Sequence, residues 1–424
     1  MKNTELKQFI LDGHLDEKLA FLYGSENVEA EKERYLSVLQ KTLDLFGDSE
    51  TKLFSAPGRT EVGGNHTDHQ LGRVLAASIN LDTIAAVVPS EDNVVRLASR
   101  GFEIKPVDIS DTEIRLEEKN TTESLIRGVA AGLQERGYKT GGFMAYSESD
   151  VIAGGGMSSS AAFEVLLGTI QSYLYNDGKV SAEEIAKIGQ YAENVYFMKA
   201  SGLMDQMASS VGSFVAIDFY EKESPVVTKV PFDPEEYGID LILTDIRADH
   251  AELSDEYSAI PNEMKGVARR LHQEVLSRCT VEELLANVAE IRENCGDRAF
   301  LRAYHFLNET KRAEDEKTAL LNKDIDTFLK LVRESGYSSW MYLQNISVPG
   351  ARGEQPVALG LALSDAVLGN EGAYRVHGGG FAGTIQAFVP NAKTEQYIRT
   401  LEAAFGEGCC YILKIRGVGG TEVV

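Results

Sequence analysis

Apolar residues recur at intervals of three and four over residues 1–50, which is the spacing of helices that bury one face. From Leu53 the pattern changes to short β-type runs, each broken by Gly, Asn or Asp. These runs predict strands at residues 53–55, 74–79, 83–88 and 94–99. The chain is therefore expected to begin with helices and to continue into a sheet.

The middle of the chain alternates between the two patterns. Helical spacing predicts helices at residues 122–137 and 181–198, and a β-type run predicts a strand at 142–146. The stretch 151–178 has the pattern of a strand, a Gly-rich turn and a long helix. The apolar run at 210–219 predicts one more strand.

The second half opens with a β-type run at 241–246 and then contains mostly helical patterns. It closes with two β-type runs that are joined through a Gly cluster at 373–390. Strands and helices are thus mixed in both halves, which predicts an α+β fold. Because 424 residues exceed one ordinary core, we expect two domains, residues 1–215 and 216–424. The lack of an obvious flexible linker predicts that they pack closely.

The net charge of −23 argues against nucleic acid as a partner, because binding to phosphate backbones depends on clustered Lys and Arg. The first residues lack the basic-then-apolar pattern of a signal peptide, and no apolar run approaches the roughly 20 residues that span a bilayer. The four cysteines form no C-x-x-C pair and fit a reducing compartment. We therefore expect a cytoplasmic protein without a membrane partner.

The most specific motif is the run Gly-Gly-Gly-Met-Ser-Ser-Ser at residues 154–160, just before a predicted helix. Glycines allow the backbone to approach a ligand closely, and the amino end of a helix presents N–H groups that suit a phosphate. The serine hydroxyls add donors and are suitable ligands for Mg²⁺, which prefers oxygen. A tight turn with a serine cap is the structural alternative. The run is not a Walker A loop, because no Gly-Lys-Ser/Thr occurs.

A second motif, at residues 56–69, crowds an Arg, a Glu, an Asn, two His and an Asp into a predicted loop between strands. Such a density of hydrogen-bonding groups suits a polyhydroxyl ligand. A solvated loop would explain any one of these residues. His66 and Asp68 have no partner at the usual spacing of metal ligands, which argues against a metal site of their own.

Two further motifs are weaker when taken alone. Asp205 lies between apolar residues, so it could be a partly enclosed carboxylate that orients or deprotonates a hydroxyl, or simply a helix cap. The Gly-rich run at 377–383 fits either a hairpin turn or a backbone surface that lies against a ligand or the other domain.

In this order the motifs resemble those of the GHMP kinases and, within them, the galactokinases. Residues 58–68 resemble the galactokinase signature Gly-Arg-x-Asn-x-Ile-Gly-Glu-His-x-Asp, and residues 154–161 resemble the phosphate loop of the family, with Met for Leu. Residues 204–206 resemble the galactokinase Met-Asp-Gln segment, and 378–383 its C-terminal Gly-rich loop. Residues 192–194 resemble the family's Ala-Glu-His, and Glu193 stands twelve positions before Asp205, as expected in the family.

This resemblance implies a two-domain GHMP-kinase fold with the active site in the cleft between the domains, and ATP-dependent phosphorylation of the anomeric (C1) hydroxyl of galactose or a close relative. Mg²⁺ would be held by Ser160 and Glu193, with Ser159 as an alternative ligand. Asp205 would accept the proton of the sugar hydroxyl or only align it, beside Arg59. ATP would be bound by Gly154, Gly155, Gly156, Ser158, Ser159 and Ser160. The sugar would be bound by Asn65, His66, Asp68 and Tyr257.

The departures from the galactokinase pattern concern the sugar. Asn65 stands where galactokinases carry Glu, and His69 where they carry Tyr. Glu61 and Gly63 replace the family's Asn and Ile, and the Tyr-x-x-Arg-Arg segment is missing after Tyr257. A neutral Asn would tolerate a carboxylate at C6, which makes galacturonate the alternative substrate.

Two other classes are rivals to a galactose kinase. A sugar sensor without activity need not keep the serine-rich loop, Glu193 and Asp205, all of which are present. Kinases of mevalonate or homoserine share the phosphate loop but lack the His66-x-Asp68 segment. The sequence does not fix the oligomeric state, and we take a monomer as the expectation.

Overall fold

A computed structural model of the chain describes residues 1–101, 104–152, 155–199, 201–248 and 253–424. It contains helices and strands in both halves and confirms the α+β class. The elements of the first half are α1 (Asn3–Leu11), α2 (Asp16–Tyr23), α3 (Val28–Phe46), β1 (Lys52–Gly63), β2 (Arg73–Pro89), β3 (Val94–Ser99), β4 (Val107–Asp108), α4 (Thr122–Glu135), β5 (Phe143–Ser149), α5 (Ser159–Tyr175), α6 (Ala182–Tyr191), α7 (Met204–Val211), β6 (Phe214–Asp218) and β7 (Val226–Val230).

The second half is richer in helices, as its sequence pattern predicts. Short π-helical turns at Ala192–Tyr196 and Ser339–Leu343 continue helices α6 and α12. The elements of the second half are β8 (Ile239–Asp245), α8 (Ser254–Arg270), α9 (Val281–Ala286), α10 (Val288–Cys295), α11 (Asp297–Leu321), α12 (Ile325–Ser338), α13 (Pro356–Leu368), β9 (Ala373–Val376), β10 (Thr384–Pro390), α14 (Thr394–Phe405), β11 (Cys410–Leu413) and β12 (Thr421–Glu422).

The first sheet has the strand order β12-β1-β2-β5-β3-β4, and β6 and β7 extend it from the other end of β2. Its strands are antiparallel except for the parallel pair β3 and β5. Successive residues of β1 face opposite sides: Leu53 packs with α1, α2 and α3, whereas Phe54 packs with α4, α5 and α6. Because helices cover both faces, the central strands β1 and β2 are buried almost throughout.

Three predictions about the strands of this sheet are wrong. The runs 74–79 and 83–88 form one strand, β2, because Asn80 between them is paired with the segment around Lys414 rather than placed in a turn. Residues 56–63 belong to strand β1 and not to a loop. The residues just before the Gly-rich turn form no strand where they are described, since β5 ends at Ser149.

The second sheet is antiparallel, with the order β11-β8-β10-β9. Ile242 and Ile385 pack against α13 and α14 on one side. On the other side, Leu241 and Phe388 join a cluster that also contains Val62 of the first sheet. The two sheets therefore share one hydrophobic cluster, in agreement with the close packing that the sequence predicts.

The boundary that we expected between residues 215 and 216 falls inside β6. Strand β7 pairs with β6 and stays in the first sheet, and β12 returns to that sheet from the far end of the chain. We therefore propose that the first domain extends to Val230 and also includes the last strand. In the part of the chain that the structure describes, no helix is long and apolar enough to cross a membrane.

A buried ionic cluster around Asp82 of β2 connects the segment just before β12, which contributes Arg416, to helices α2 and α3. The carboxylate of Asp82 accepts hydrogen bonds from Tyr23 Oη (2.6 Å), Arg34 Nη1 (2.6 Å) and Arg416 Nη1 (3.0 Å), and from the hydroxyl of Ser55. Burial raises the pKa of Asp82, but the two guanidinium groups outweigh it and hold the pKa below its usual range.

Replacing Asp82 with Asn should lower the free energy of unfolding by about 3–5 kcal/mol, because two buried guanidinium groups lose their counter-charge. Urea unfolding followed by circular dichroism measures the effect. The matched control is Asp315→Asn, since Asp315 forms a surface ion pair with Lys311 (3.1 Å), and such pairs contribute little. Equal stability of the two variants would show that the Asp82 cluster does not hold the fold.

Candidate active site

The Gly-rich loop leads directly into helix α5 and faces the cleft between the two sheets. Ser158, at the cap position, has a left-handed backbone with φ of 57°. Gly156 also has a positive φ (70°), and a Cβ there would lie 3.0 Å from Nδ1 of His377 across the cleft. A side chain at this position would therefore crowd the opposite wall. Gly154, which we expect to bind ATP, lies outside the described residues.

Asp205 lies in the first turn of α7 and forms a bidentate ion pair with Arg59 of β1. Arg59 Nε donates to Asp205 Oδ1 (2.7 Å), and Arg59 Nη2 donates to Oδ2 (2.7 Å). Ser158 Oγ donates to the same Oδ2 (2.7 Å), and Arg59 Nη1 donates to the carbonyl oxygen of Gly156. Three motifs that are far apart in the sequence thus meet at one carboxylate.

The electrostatics of this cluster keep Asp205 ionised. Burial raises the pKa of Asp205, but the charge and hydrogen bonds of Arg59, together with the hydroxyl of Ser158, outweigh burial, so the pKa lies below its usual range. A carboxylate of this kind is a firm hydrogen-bond acceptor and a weak base. The carboxylate of Asp205 is therefore both ionised and held in one orientation.

Glu193 lies in the π-helical turn after α6 and is almost fully buried. Its Oε1 accepts a hydrogen bond from Ser160 Oγ (3.1 Å) and forms an ion pair with Lys199 Nζ (2.8 Å). Its Oε2 accepts a hydrogen bond from Gln206 Nε2 (2.9 Å), which also donates to the buried Glu164 (2.9 Å). The structure therefore brings Ser160 and Glu193 together. Their side-chain oxygens are suitable metal ligands, and the carboxylate of Glu193 already attracts the ammonium group of Lys199.

A cavity of about 290 Å³ lies next to Asp205. Gly202 and Met204, just before Asp205 in the chain, form part of its wall. The wall carries two carboxyl groups and two imidazoles. Its described lining residues are Glu61, Gly64, His66, Asp68, His69, Val74, Gly202, Met204, Gly378 and Gly379.

The polar groups of this cavity are held in place by its backbone. His66 Nε2 donates to the carbonyl oxygen of Gly379 (3.0 Å). A Cβ at Gly202 would lie 2.3 Å from Oδ2 of Asp68, so only glycine allows this carboxyl group to lie there. Burial raises the pKa of Asp68, and the neighbouring His66 opposes the shift. Burial lowers the pKa of His69 to about 3, so its imidazole is neutral.

The Gly-rich run at 377–383 connects β9 with β10 and also joins the two halves of the molecule. His377 Nε2 accepts a hydrogen bond from the backbone N–H of Glu61 (3.3 Å), and its Nδ1 donates to Thr384 Oγ1 (2.8 Å). Burial, reinforced by Arg59 and Arg375, lowers the pKa of His377 well below its usual value, which fits a neutral ring with one acceptor nitrogen. The run is thus both a turn and part of the cavity wall.

Known protein families and relatives resemble this chain in sequence. The family model described as "Galactokinase galactose-binding signature" matches residues 43–89, and the one described as "GHMP kinases N terminal domain" matches residues 124–213. A galactokinase of Clostridium tetani (strain Massachusetts / E88) is 29% identical over 361 residues, which are 84% of this chain and 88% of the relative. These matches support a galactokinase of the GHMP kinase superfamily and indicate a sugar kinase.

Solved structures show the same fold. The galactokinase of Lactococcus lactis, solved with galactose, has a TM-score of 0.77 at 23% identity, with 90% of this chain and 98% of that chain covered. The mevalonate kinase of Methanococcus jannaschii has a TM-score of 0.60 at 15% identity, with 86% and 98% covered. These similarities confirm the two-domain GHMP-kinase fold.

Asn65 does not line the described cavity, in contrast to our expectation that it binds the sugar. Its side chain is fully buried, and protein groups already satisfy it. Nδ2 donates to Glu61 Oε1 (2.8 Å) and to the carbonyl oxygen of Gly378 (2.8 Å). Oδ1 accepts from Asn345 Nδ2 (2.9 Å) and Ser339 Oγ (3.2 Å). Asn65 therefore holds the wall together from behind.

Tyr257 also lies behind the wall, since the described lining residues do not include it. Its hydroxyl donates to the carbonyl oxygen of Gly380 (2.9 Å), and its ring packs edge-on against Phe381. A Cβ at Gly379 would lie 2.6 Å from this ring. Tyr257 thus supports the Gly-rich run rather than facing the described cavity.

Sequence reasoning missed the groups that support Glu61. Glu61 Oε1 accepts a hydrogen bond from Arg375 Nη2 (2.9 Å), and Arg375 is fully buried in strand β9. A second buried carboxylate, Glu309 of α11, accepts from the backbone N–H of Gly64 (3.1 Å). A charged residue in the apolar run Ala-Tyr-Arg-Val was the one signal for this network in the sequence.

Replacing Asn65 with Ala should lower the free energy of unfolding by about 2–4 kcal/mol, because several buried hydrogen-bond partners lose their counterpart at once. Urea unfolding measures the effect, with Asn294→Ala as the control, since Asn294 is exposed and bonds only within its own helix turn (2.8 Å to Glu290 O). Unchanged stability together with weakened sugar binding would show instead that Asn65 contacts the sugar.

Proposed function

We propose that the protein transfers the γ-phosphoryl group of ATP to the C1 hydroxyl of galactose and releases galactose 1-phosphate and ADP. The observation that carries this proposal is the carboxylate of Asp205, which Arg59 and Ser158 hold between the amino end of α5 and a polar cavity. A helix terminus suits the phosphates of ATP, and the cavity suits a polyol. The matches to the galactose-binding signature and to the GHMP kinase N-terminal domain support both assignments.

In the proposed reaction the oxygen of the C1 hydroxyl bonds to the γ-phosphorus, and the bond from that phosphorus to the β–γ bridging oxygen breaks. Asp205 accepts a hydrogen bond from the hydroxyl and aims its oxygen at the phosphorus. Because its pKa is lowered, Asp205 favours orientation over early proton removal, and it accepts the hydroxyl proton late in the transfer, when the bond to phosphorus is forming. Arg59 offsets the negative charge of Asp205 and of the transferred group.

For the nucleotide side, we propose that residues 154–156 and Ser158, Ser159 and Ser160 bind the phosphates. The pair Ser160 and Glu193 fits Mg²⁺, because its donors are a hydroxyl and a carboxylate and Mg²⁺ usually needs only one or two carboxylates besides phosphate oxygens. Mg²⁺ would neutralise charge on the β- and γ-phosphates when bound. Within the described residues, no group of three or more His, Cys, Asp or Glu forms a metal site of its own.

The charges of the cavity favour galactose over galacturonate. Glu61 and Asp68 place two carboxyl groups in the wall, and the imidazole of His69 in the same wall is neutral. Arg59 is committed to Asp205 and to the backbone of the Gly-rich loop. A neutral sugar therefore fits the cavity better than an anionic one, since a buried charge is unfavourable unless it is paired. The intact cluster of Ser158, Asp205 and Glu193 likewise favours an enzyme over a sensor.

The compartment and the partners of the protein are proposed from its cysteines and its net charge. The four cysteines are free thiols, which supports a reducing compartment such as the cytoplasm. The net charge of −23 supports small molecules rather than nucleic acid as partners. We keep the monomer as the working assumption for kinetic experiments.

Asp205→Asn should lower kcat for galactose by about 10²–10⁴-fold, because an amide neither accepts the proton nor orients the hydroxyl as a carboxylate does. ADP release and phosphorus NMR of the product measure the loss, with Asp315→Asn as the control.

The wild type should have at least a ten-fold higher kcat/KM for galactose than for galacturonate, because a sugar carboxylate without a counter-charge should cost at least about 1.4 kcal/mol, which corresponds to that factor. A preference for galacturonate would make it the substrate. Binding without turnover of any sugar would favour the sensor.

Glu193→Gln should raise the Mg²⁺ concentration for half-maximal activity by at least about ten-fold, because a neutral amide attracts the cation less than a carboxylate. Activity at fixed ATP over a series of Mg²⁺ concentrations measures the shift. Glu164→Gln is the comparison variant, since burial raises the pKa of Glu164 well above its usual value and Gln resembles the neutral acid. An equal Mg²⁺ requirement in wild type and Glu193→Gln would remove Glu193 from the metal site.

A further inference from the structure

Lys199 lies three residues after the π-helical turn that carries Glu193 and folds back over it. The backbone N–H of Lys199 donates to the carbonyl oxygen of Glu193 (3.1 Å), and Lys199 Nζ lies 2.8 Å from Glu193 Oε1. This is the same oxygen that accepts the hydrogen bond of Ser160 (3.1 Å). The ammonium group therefore occupies the position at which a cation would bind this carboxylate.

The two partners of this ion pair differ strongly in exposure. The side chain of Glu193 is 3% exposed, whereas that of Lys199 is 57% exposed. A buried carboxylate without a cation is unfavourable, so the ammonium is attracted to it when no other cation is present. A largely exposed lysine has a flexible four-carbon stem and can leave when a better cation arrives.

The charge of Lys199 also extends to Asp205. It contributes to the lowered pKa of that carboxyl, after the larger contributions of burial, Arg59 and Ser158. Arg59 itself is buried and held by Asp205 and by the carbonyl oxygen of Gly156. Lys199 is thus a cation beside the transfer site that is free to change partner within reach of its stem.

We propose that Lys199 is an ATP-binding residue whose ammonium group holds the cation position on Glu193 in the empty site and moves to the triphosphate when Mg²⁺ binds Glu193. Glu193 Oε1 cannot serve both cations equally, so the arrival of Mg²⁺ releases the ammonium. A released ammonium would then be able to pair with phosphate oxygens of ATP, which form strong charge-assisted hydrogen bonds with lysine. The inference rests on the proposed function, because it assumes that ATP occupies the Gly-rich loop.

Equilibrium binding of ATP separates this inference from turnover. Lys199→Met removes the charge and keeps the stem, and calorimetry without sugar should show about a ten-fold weaker affinity for MgATP, since one charge-assisted hydrogen bond is lost. Lys199→Arg keeps the charge and should stay within about three-fold of the wild type. The matched control is Lys179→Met, because Lys179 is also exposed and pairs with an acidic residue, Asp177 (3.0 Å), outside the cleft.

A second readout tests the exchange of cations and needs no nucleotide. The Mg²⁺ concentration that gives half of the maximal increase in Tm should fall in Lys199→Met, because the competing ammonium is gone. It should stay unchanged in Lys179→Met.

Wild-type affinity for MgATP in Lys199→Met, and in Lys199→Gln as a second uncharged variant, would overturn the inference. A wild-type protein that binds MgATP with the expected Lys199 dependence but does not phosphorylate galactose would overturn the proposed function alone. A protein that binds no ATP would overturn both.

Discussion

The bidentate ion pair of Arg59 and Asp205 is the contact on which the arrangement of the site depends. It joins strand β1 to the first turn of α7, and Ser158 adds the amino end of α5 to the same carboxylate. A guanidinium fork fixes the plane of a carboxylate better than a lysine would, because two parallel hydrogen bonds define it. The direction of one carboxylate oxygen is therefore set before any ligand is present. This lowers the entropy cost of aligning the catalytic group with the substrate.

A second layer of polar groups stands behind the cavity and gives the wall its shape. Asn65, Arg375 and Glu309 are all buried, and each bonds to a residue that lines the cavity or to its neighbour. Buried polar networks of this kind are favourable only when their members are satisfied, so a change in one member is felt by the rest. A substitution at any of these buried residues should therefore change the shape of the cavity wall.

The sequence predicted the contacts around the Gly-rich loop better than the contacts around the cavity. The Gly-rich loop, Ser160, Glu193 and Asp205 could be found because small residues and hydroxyls at a helix start have a direct physical meaning. Asn65 could not be placed, because the register of β1 shifts twice, between Pro57 and Arg59 and between Glu61 and Gly63. Each shift changes which side chains face the sheet surface, and nothing in the sequence marks it.

The last strand could not be predicted either. Strand β12 has only two residues, and its place beside β1 depends on a partner far away in the chain. Arg375 and Glu309 were missed for the same reason, since their partners lie on other elements. Local pattern predicts elements, whereas contacts between distant elements depend on the assembled shape.

The return of β12 to β1 has a consequence for the order of events during synthesis. Residues 1–230 build most of the first sheet, but β1 gains its outer neighbour, and Asp82 its partner Arg416, only after more than 180 further residues have left the ribosome. Until then the edge of β1 and a buried carboxylate lack their final partners, and an open strand edge is a place where chains associate wrongly. The nascent chain thus passes through a long interval in which its first domain is nearly built but still needs protection at one edge.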